Sequence, residues 1–128
     1  MIRILAALLT FALFVTVAMA DGLNVTEAAT AKGVEKQAAV SPGDKFPADV
    51  GKVYLLTRVK GAGDSMAEIK HVWYQGSAKV AEVSLKLKSD DWTTYSYAMI
   101  DPSQKGAWKV DVVDSAGTVL KSLNFTIE

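Results

Sequence analysis

The chain has 128 residues, with 14 basic and 14 acidic side chains, one histidine and no cysteine. The lack of cysteine excludes disulfides, thiolate catalysis and cysteine metal sites together. A formal net charge of zero leaves no electrostatic footprint for nucleic acid and no steering toward an anionic membrane.

Residues 1–20 read as a secretory signal peptide. Arg3 supplies the positive start, Ile4 to Val17 is almost wholly apolar, and Ala18-Met19-Ala20 supplies small residues two apart. Cleavage after Ala20 removes one basic residue and leaves 13 against 14 acids, so the remaining chain is nearly neutral. The competing reading is a retained anchor, because the apolar run is near the lower limit for spanning a bilayer. No cysteine follows the run, which excludes a lipid-modified cysteine anchor. The expected location is periplasmic or secreted, with no membrane attachment after cleavage. A small exported domain without disulfides relies on packing alone, which suits a bacterial envelope protein.

Residues 21–43 are rich in Ala, Thr, Lys and Glu and read as an N-terminal linker or an edge strand. Ser41-Pro42-Gly43-Asp44 is a turn by composition, and a β-sandwich domain is expected over residues 44–128. From Lys52 the hydrophobic period is two: Val53, Leu55, Thr57 and Val59 alternate with Lys52, Tyr54, Leu56, Arg58 and Lys60. Gly61-Ala62-Gly63-Asp64 ends that strand. Met66 to Tyr74 puts Ile69, His71 and Trp73 on one face. Val80 to Lys88 places Ala81, Val83, Leu85 and Leu87 inward. Trp92 to Ile100 is dense in strand formers. Trp108, Val110 and Val112 alternate with polar neighbours, Asp114-Ser115-Ala116-Gly117 is a hairpin connection, and Leu120 to Ile127 closes the series. About seven short strands separated by turn signals predict an all-β, immunoglobulin-like antiparallel sandwich.

In order along the chain, Phe46-Pro47, Val53-Tyr54, Thr57-Arg58-Val59, His71-Val72-Trp73, Trp92-Thr93-Thr94-Tyr95-Ser96 and Gly106-Ala107-Trp108-Lys109-Val110-Asp111-Val112 resemble the bacterial domain of unknown function 2914. Asp114, Gly117, Leu120 and Phe125 extend the resemblance, which covers roughly residues 34–128. It implies an envelope-associated β-sandwich and supplies no reaction. Thr93 stands where the family carries an arginine, so no basic recognition patch is carried over.

His71 shares its strand face with Ile69 and Trp73 and reads first as a packed or rim histidine and second as a functional base; it is also counted among the contact candidates. No serine lies in a nucleophile-elbow pattern, and one histidine without cysteine leaves only carboxylates to complete a metal site. No catalytic residue, metal site or cofactor is assigned, and an enzyme is not expected. Asp90-Asp91, Asp111 and Asp114 read as turn and surface residues. The binding candidates are aromatic: Tyr95 and Tyr97, two apart on one strand face, with Tyr74 ending a neighbouring strand. Which face of Trp92 to Ile100 is buried is open, since a bulge after Trp92 reverses its parity. The expected function is a non-catalytic binding or protein-interaction module whose partner is an envelope protein or a glycan. A carbohydrate- or small-ligand-binding domain is the alternative, and a hydrolase ranks third.

Overall fold

The computed structural model describes residues 22–64 and 66–128; the expected signal segment lies outside them. The nine strands are β1 (Asn24–Glu35), β2 (Ala38–Pro42), β3 (Lys45–Phe46), β4 (Lys52–Lys60), β5 (Glu68–Gln75), β6 (Ala78–Lys86), β7 (Asp91–Met99), β8 (Gly106–Asp114) and β9 (Val119–Ile127). They form two sheets, ordered β2-β1-β4-β7 and β3-β9-β8-β5-β6. The expected all-β sandwich is borne out. All pairs are antiparallel except β3 with β9, and the strands beyond the expected seven are the short β2 and β3.

The inward faces follow from the period of two. Val53, Leu55, Thr57 and Val59 of β4 are fully buried, facing Ile69, His71 and Trp73 of β5 and Val110 and Val112 of β8. Phe125 of β9 sits among three rings. Trp108 stacks on it at 5.7 Å between centroids, while Phe46 and Trp73 meet it edge-on at 5.9 and 6.1 Å. Each such pair contributes about 0.5–1.5 kcal/mol beyond the area it buries. The two buried indoles differ in one respect: Trp108 Nε1 donates to the Gln104 carbonyl at 2.9 Å, whereas Trp73 Nε1 has no hydrogen-bond partner among the described residues.

Residues 22–43 are not a loose approach to the domain. β1 is an interior strand, paired to β4 from Asn24↔Lys60 to Ala31↔Tyr54, and only β2 lies at the edge. Gly61, at φ +106°, permits the close approach at the start of this pairing: a Cβ there would lie 2.0 Å from the Gly22 carbonyl oxygen. Beyond Ala31 the strand leaves β4 and pairs with β2. Lys36 and Gln37 both have positive φ, as a two-residue primed turn requires. The tip of this hairpin lines hollows with Arg58, Asp91, Trp92 and Thr93, so the hairpin folds back over the outer face of its own sheet. That cover accounts for Leu56, which points outward yet is only 9% exposed.

Candidate functional site

β7 pairs with β4 over nine consecutive residues, Lys52↔Met99 to Lys60↔Asp91, with no register shift. Parity is therefore constant along β7. Ser96, Ala98 and Ile100 are buried, and Trp92 packs partly buried against the core. Tyr95 and Tyr97 point outward, at 47% and 43% exposure. The absence of a bulge settles the alternative that the sequence leaves open.

A third ring joins these two. Tyr54, opposite Tyr97 in the β4 register, lies 5.3 Å from Tyr97 and 6.0 Å from Tyr95 between centroids. Lys52 Nζ sits 4.5 Å over the Tyr97 ring. The platform is thus Tyr54, Tyr95 and Tyr97, flanked by the exposed Met99. The alternation that places Tyr54 and Lys52 outward is visible in the sequence, but their proximity to β7 depends on β4 and β7 being neighbours, a pairing between distant segments.

Two of the expected contact residues lie elsewhere. Tyr74 is on β5, in the other sheet, where it is half-buried with Lys109 Nζ 4.7 Å over its ring. It cannot extend the Tyr95 and Tyr97 row. His71 is completely buried and offers no surface to a ligand.

His71 instead joins the two sheets through hydrogen bonds whose direction can be followed. Thr57 Oγ1 donates to the Thr94 carbonyl at 3.3 Å, so its oxygen accepts from His71 Nε2–H at 3.2 Å. Nδ1 is then the unprotonated nitrogen, and Ser96 Oγ–H donates to it at 2.6 Å. Burial pushes the His71 pKa down to about 4, so the ring is neutral at pH 7. Although a serine beside a histidine evokes a nucleophile and its base, an imidazole shifted this far accepts a proton weakly. Its partner at Nε2 is a hydroxyl rather than a carboxylate. The arrangement acts as a fixed polar tie across the core.

Asp90 and Asp91 serve a turn and a surface pair as expected, whereas Asp111 and Asp114, read from the sequence as turn and surface residues, are buried and held by hydrogen bonds. Asp114 accepts from the Ala116 and Thr118 amides, and Asp111 accepts from Ser122 Oγ. Asp90 accepts from the Gly63 amide. Asp91 accepts two hydrogen bonds from Arg58, at 2.7 and 2.8 Å, which hold its carboxyl below the usual range. Among the described residues no three His, Asp or Glu side chains are grouped to hold a metal ion.

The flank shared by β6 and β7 is the least closed part of the sandwich. Both are terminal strands of their sheets. Ile69, His71 and Trp73 of β5 are fully buried, yet their inward-facing partners on β6, Leu85, Val83 and Ala81, are only half-buried. A groove of about 410 Å³ runs there, lined by Val83, Tyr95, Ser96 and Tyr97. Sequence alternation identifies the inward row of β6 but cannot show that the described residues leave it half covered.

Comparison with known proteins places these strands. Residues 66–127 match the family described as protein of unknown function (DUF2914). The DUF2914 match holds β5 to β9, including the β6–β7 flank, His71 and all three tryptophans. β1 to β4, which supply Tyr54 and Thr57, precede it. No curated protein matches the chain. Among solved structures, a Bifidobacterium adolescentis GH3 beta-glucosidase is similar at 12% identity, with a TM-score of 0.47. The similarity covers 82% of this chain and 17% of that one, so the chain spans under a fifth of that enzyme's length.

Proposed function

We propose that this chain is a non-catalytic contact module of the bacterial envelope, periplasmic or secreted after removal of residues 1–20, and that β7 presents its recognition surface. The observation that carries this reading is the Tyr54, Tyr95 and Tyr97 platform on a regular strand. Three rings held by a rigid sheet lose little conformational freedom on binding, and each offers an apolar face with a polar tip. The partner is an envelope protein or a glycan. A carbohydrate-binding domain is the second reading, supported by the same tilted rings, which suit the apolar face of a sugar.

The test is a Tyr95→Ala, Tyr97→Ala double variant. Both side chains are about half exposed, so the variant keeps its circular dichroism spectrum and loses the interactions that the parent shows in envelope pull-downs or on a glycan array. Signal on the glycan array selects the carbohydrate reading. A folded variant that retains every interaction of the parent refutes the tyrosine surface.

A further inference from the structure

We infer that the exposed edge of β7, on the flank it shares with β6, pairs with an extended peptide segment of a partner protein. This inference rests on the contact-module reading and names the class of partner.

The hydrogen-bonding direction along β7 is fixed by its ends. Ile100 N donates to the Gly51 carbonyl and Gly61 N to the Asp90 carbonyl. Even-numbered residues of β7 therefore bond to β4, and the amides and carbonyls of Thr93, Tyr95, Tyr97 and Met99 point away from the sheet.

The sheet edges differ in protection. β2 is short and ends in Pro42, and β3 has two residues. β6 carries Lys79, Glu82 and Lys86 and follows a register shift at Trp73/Tyr74. β7 is nine residues long and regular, without proline, and its single charge, Asp91, is tied to Arg58. An edge of that kind pairs with other chains unless something covers it.

The outward-pointing amides and carbonyls of β7 fit an extended strand, and beside them Val83 and Leu85 of β6 are apolar residues left half covered. Charge at one end of the groove selects the occupant. The groove side chains of the added strand are small and apolar, to sit over Val83 and Ser96. At the Trp92 end, Lys86 and Lys88 line an adjoining hollow with Gln37 of the hairpin tip and enter no ion pair among the described residues. For a strand antiparallel to β7 this end receives the peptide C-terminus, which is therefore acidic. Main-chain bonds supply affinity in such an addition, and alternate side chains supply specificity.

The experiment uses the full chain and a synthetic peptide of about ten residues that alternates valine with threonine and ends in two glutamates. Saturable binding is expected, with hydrogen-exchange protection gained at the Tyr95, Tyr97 and Met99 amides. Methylating alternate peptide nitrogens abolishes it, and Val83→Lys weakens it by about tenfold or more with the chain still folded. Replacing the two glutamates by lysines also weakens it, more at low salt than at high salt. No saturable binding, protection outside β7, or indifference to both Val83→Lys and backbone methylation overturns the inference. So does sedimentation showing that the chain dimerises with protection of the same amides. The Tyr95→Ala, Tyr97→Ala variant separates the two readings. If it keeps the peptide but not the envelope partner, only the edge is independent of the rings; if it keeps the partner while the peptide never binds the parent, both are wrong.

Discussion

The two flanks of this sandwich are built from the same alternation and end in different states. Around β8 and the end of β9, inward residues meet a second layer: Trp108, Val110, Val112, Phe125 and Ile127 are all buried, while Leu123, earlier on β9, is half-buried. Along β6, a terminal strand, the inward row Ala81, Val83 and Leu85 stays half open. Strand pattern alone therefore does not determine burial. Position in the sheet also matters, since β6 is a terminal strand with a neighbour on one side only.

The largest expected effect breaks this contrast directly. Trp108→Ala removes a ring stacked on Phe125, and Trp73→Ala one that meets it edge-on; each costs about 3–5 kcal/mol in chemical denaturation. Val83→Ala removes two methyl groups from a half-covered position and costs about 1 kcal/mol or less. Equal losses at Trp108 and Val83 would show that the β6 flank is as closed as the rest.

The second effect concerns the tie between the flanks. His71 titrates near 6.5 when unfolded and near 4 when folded, so between these values the unfolded chain binds the extra proton. Stability from this group is complete above about pH 6.5 and is lost as the pH falls through 4. By pH 4 the loss is about 3 kcal/mol. Protonation also turns Nδ1 from acceptor to donor, so the Ser96 hydroxyl rotates and accepts where it donated before. Urea titrations across this range check it against His71→Asn, in which the corresponding slope disappears and only that of the carboxylates persists.

Much of the fold was legible in the sequence. The inward rows Val53 to Val59 and Ile69 to Trp73, the burial of Trp73 and Trp108, and the placing of Tyr95 and Tyr97 on one face follow from a period of two; which face that is follows only from the unbroken β4–β7 register. Pairing between distant strands was less legible. Tyr74 and Tyr95 share composition and strand context, yet they lie on different sheets, and Tyr54 completes the platform through a β4–β7 pairing that no local pattern encodes. The fold-back of the β1–β2 hairpin was hidden for a related reason. Lys36 and Gln37 adopt positive φ without the Asn-Gly chemistry that usually announces such a turn. His71 was assigned to the core face from its neighbours, but its partners Thr57 and Ser96 come from the opposite sheet, beyond the reach of spacing arguments.

The smallest expected effect lies within the closed flank and separates its two indoles. Trp→Phe at either position retains an aromatic ring and removes the indole N–H, so the volume lost is similar. At Trp108 the substitution also breaks the bond from Nε1 to the Gln104 carbonyl, which anchors the loop before β8. At Trp73 it removes a buried donor that has no partner among the described residues, and with it a desolvation cost. A buried unsatisfied donor costs about 1–3 kcal/mol and a made hydrogen bond contributes about 1 kcal/mol. Trp108→Phe is therefore expected to be the more destabilising of the two by about 2 kcal/mol, with the relieved cost taken at its lower end, in parallel denaturation at neutral pH. The opposite ranking would mean that Trp73 Nε1 is engaged by water inside the sandwich, and the closed flank would then be wetter than its packing indicates.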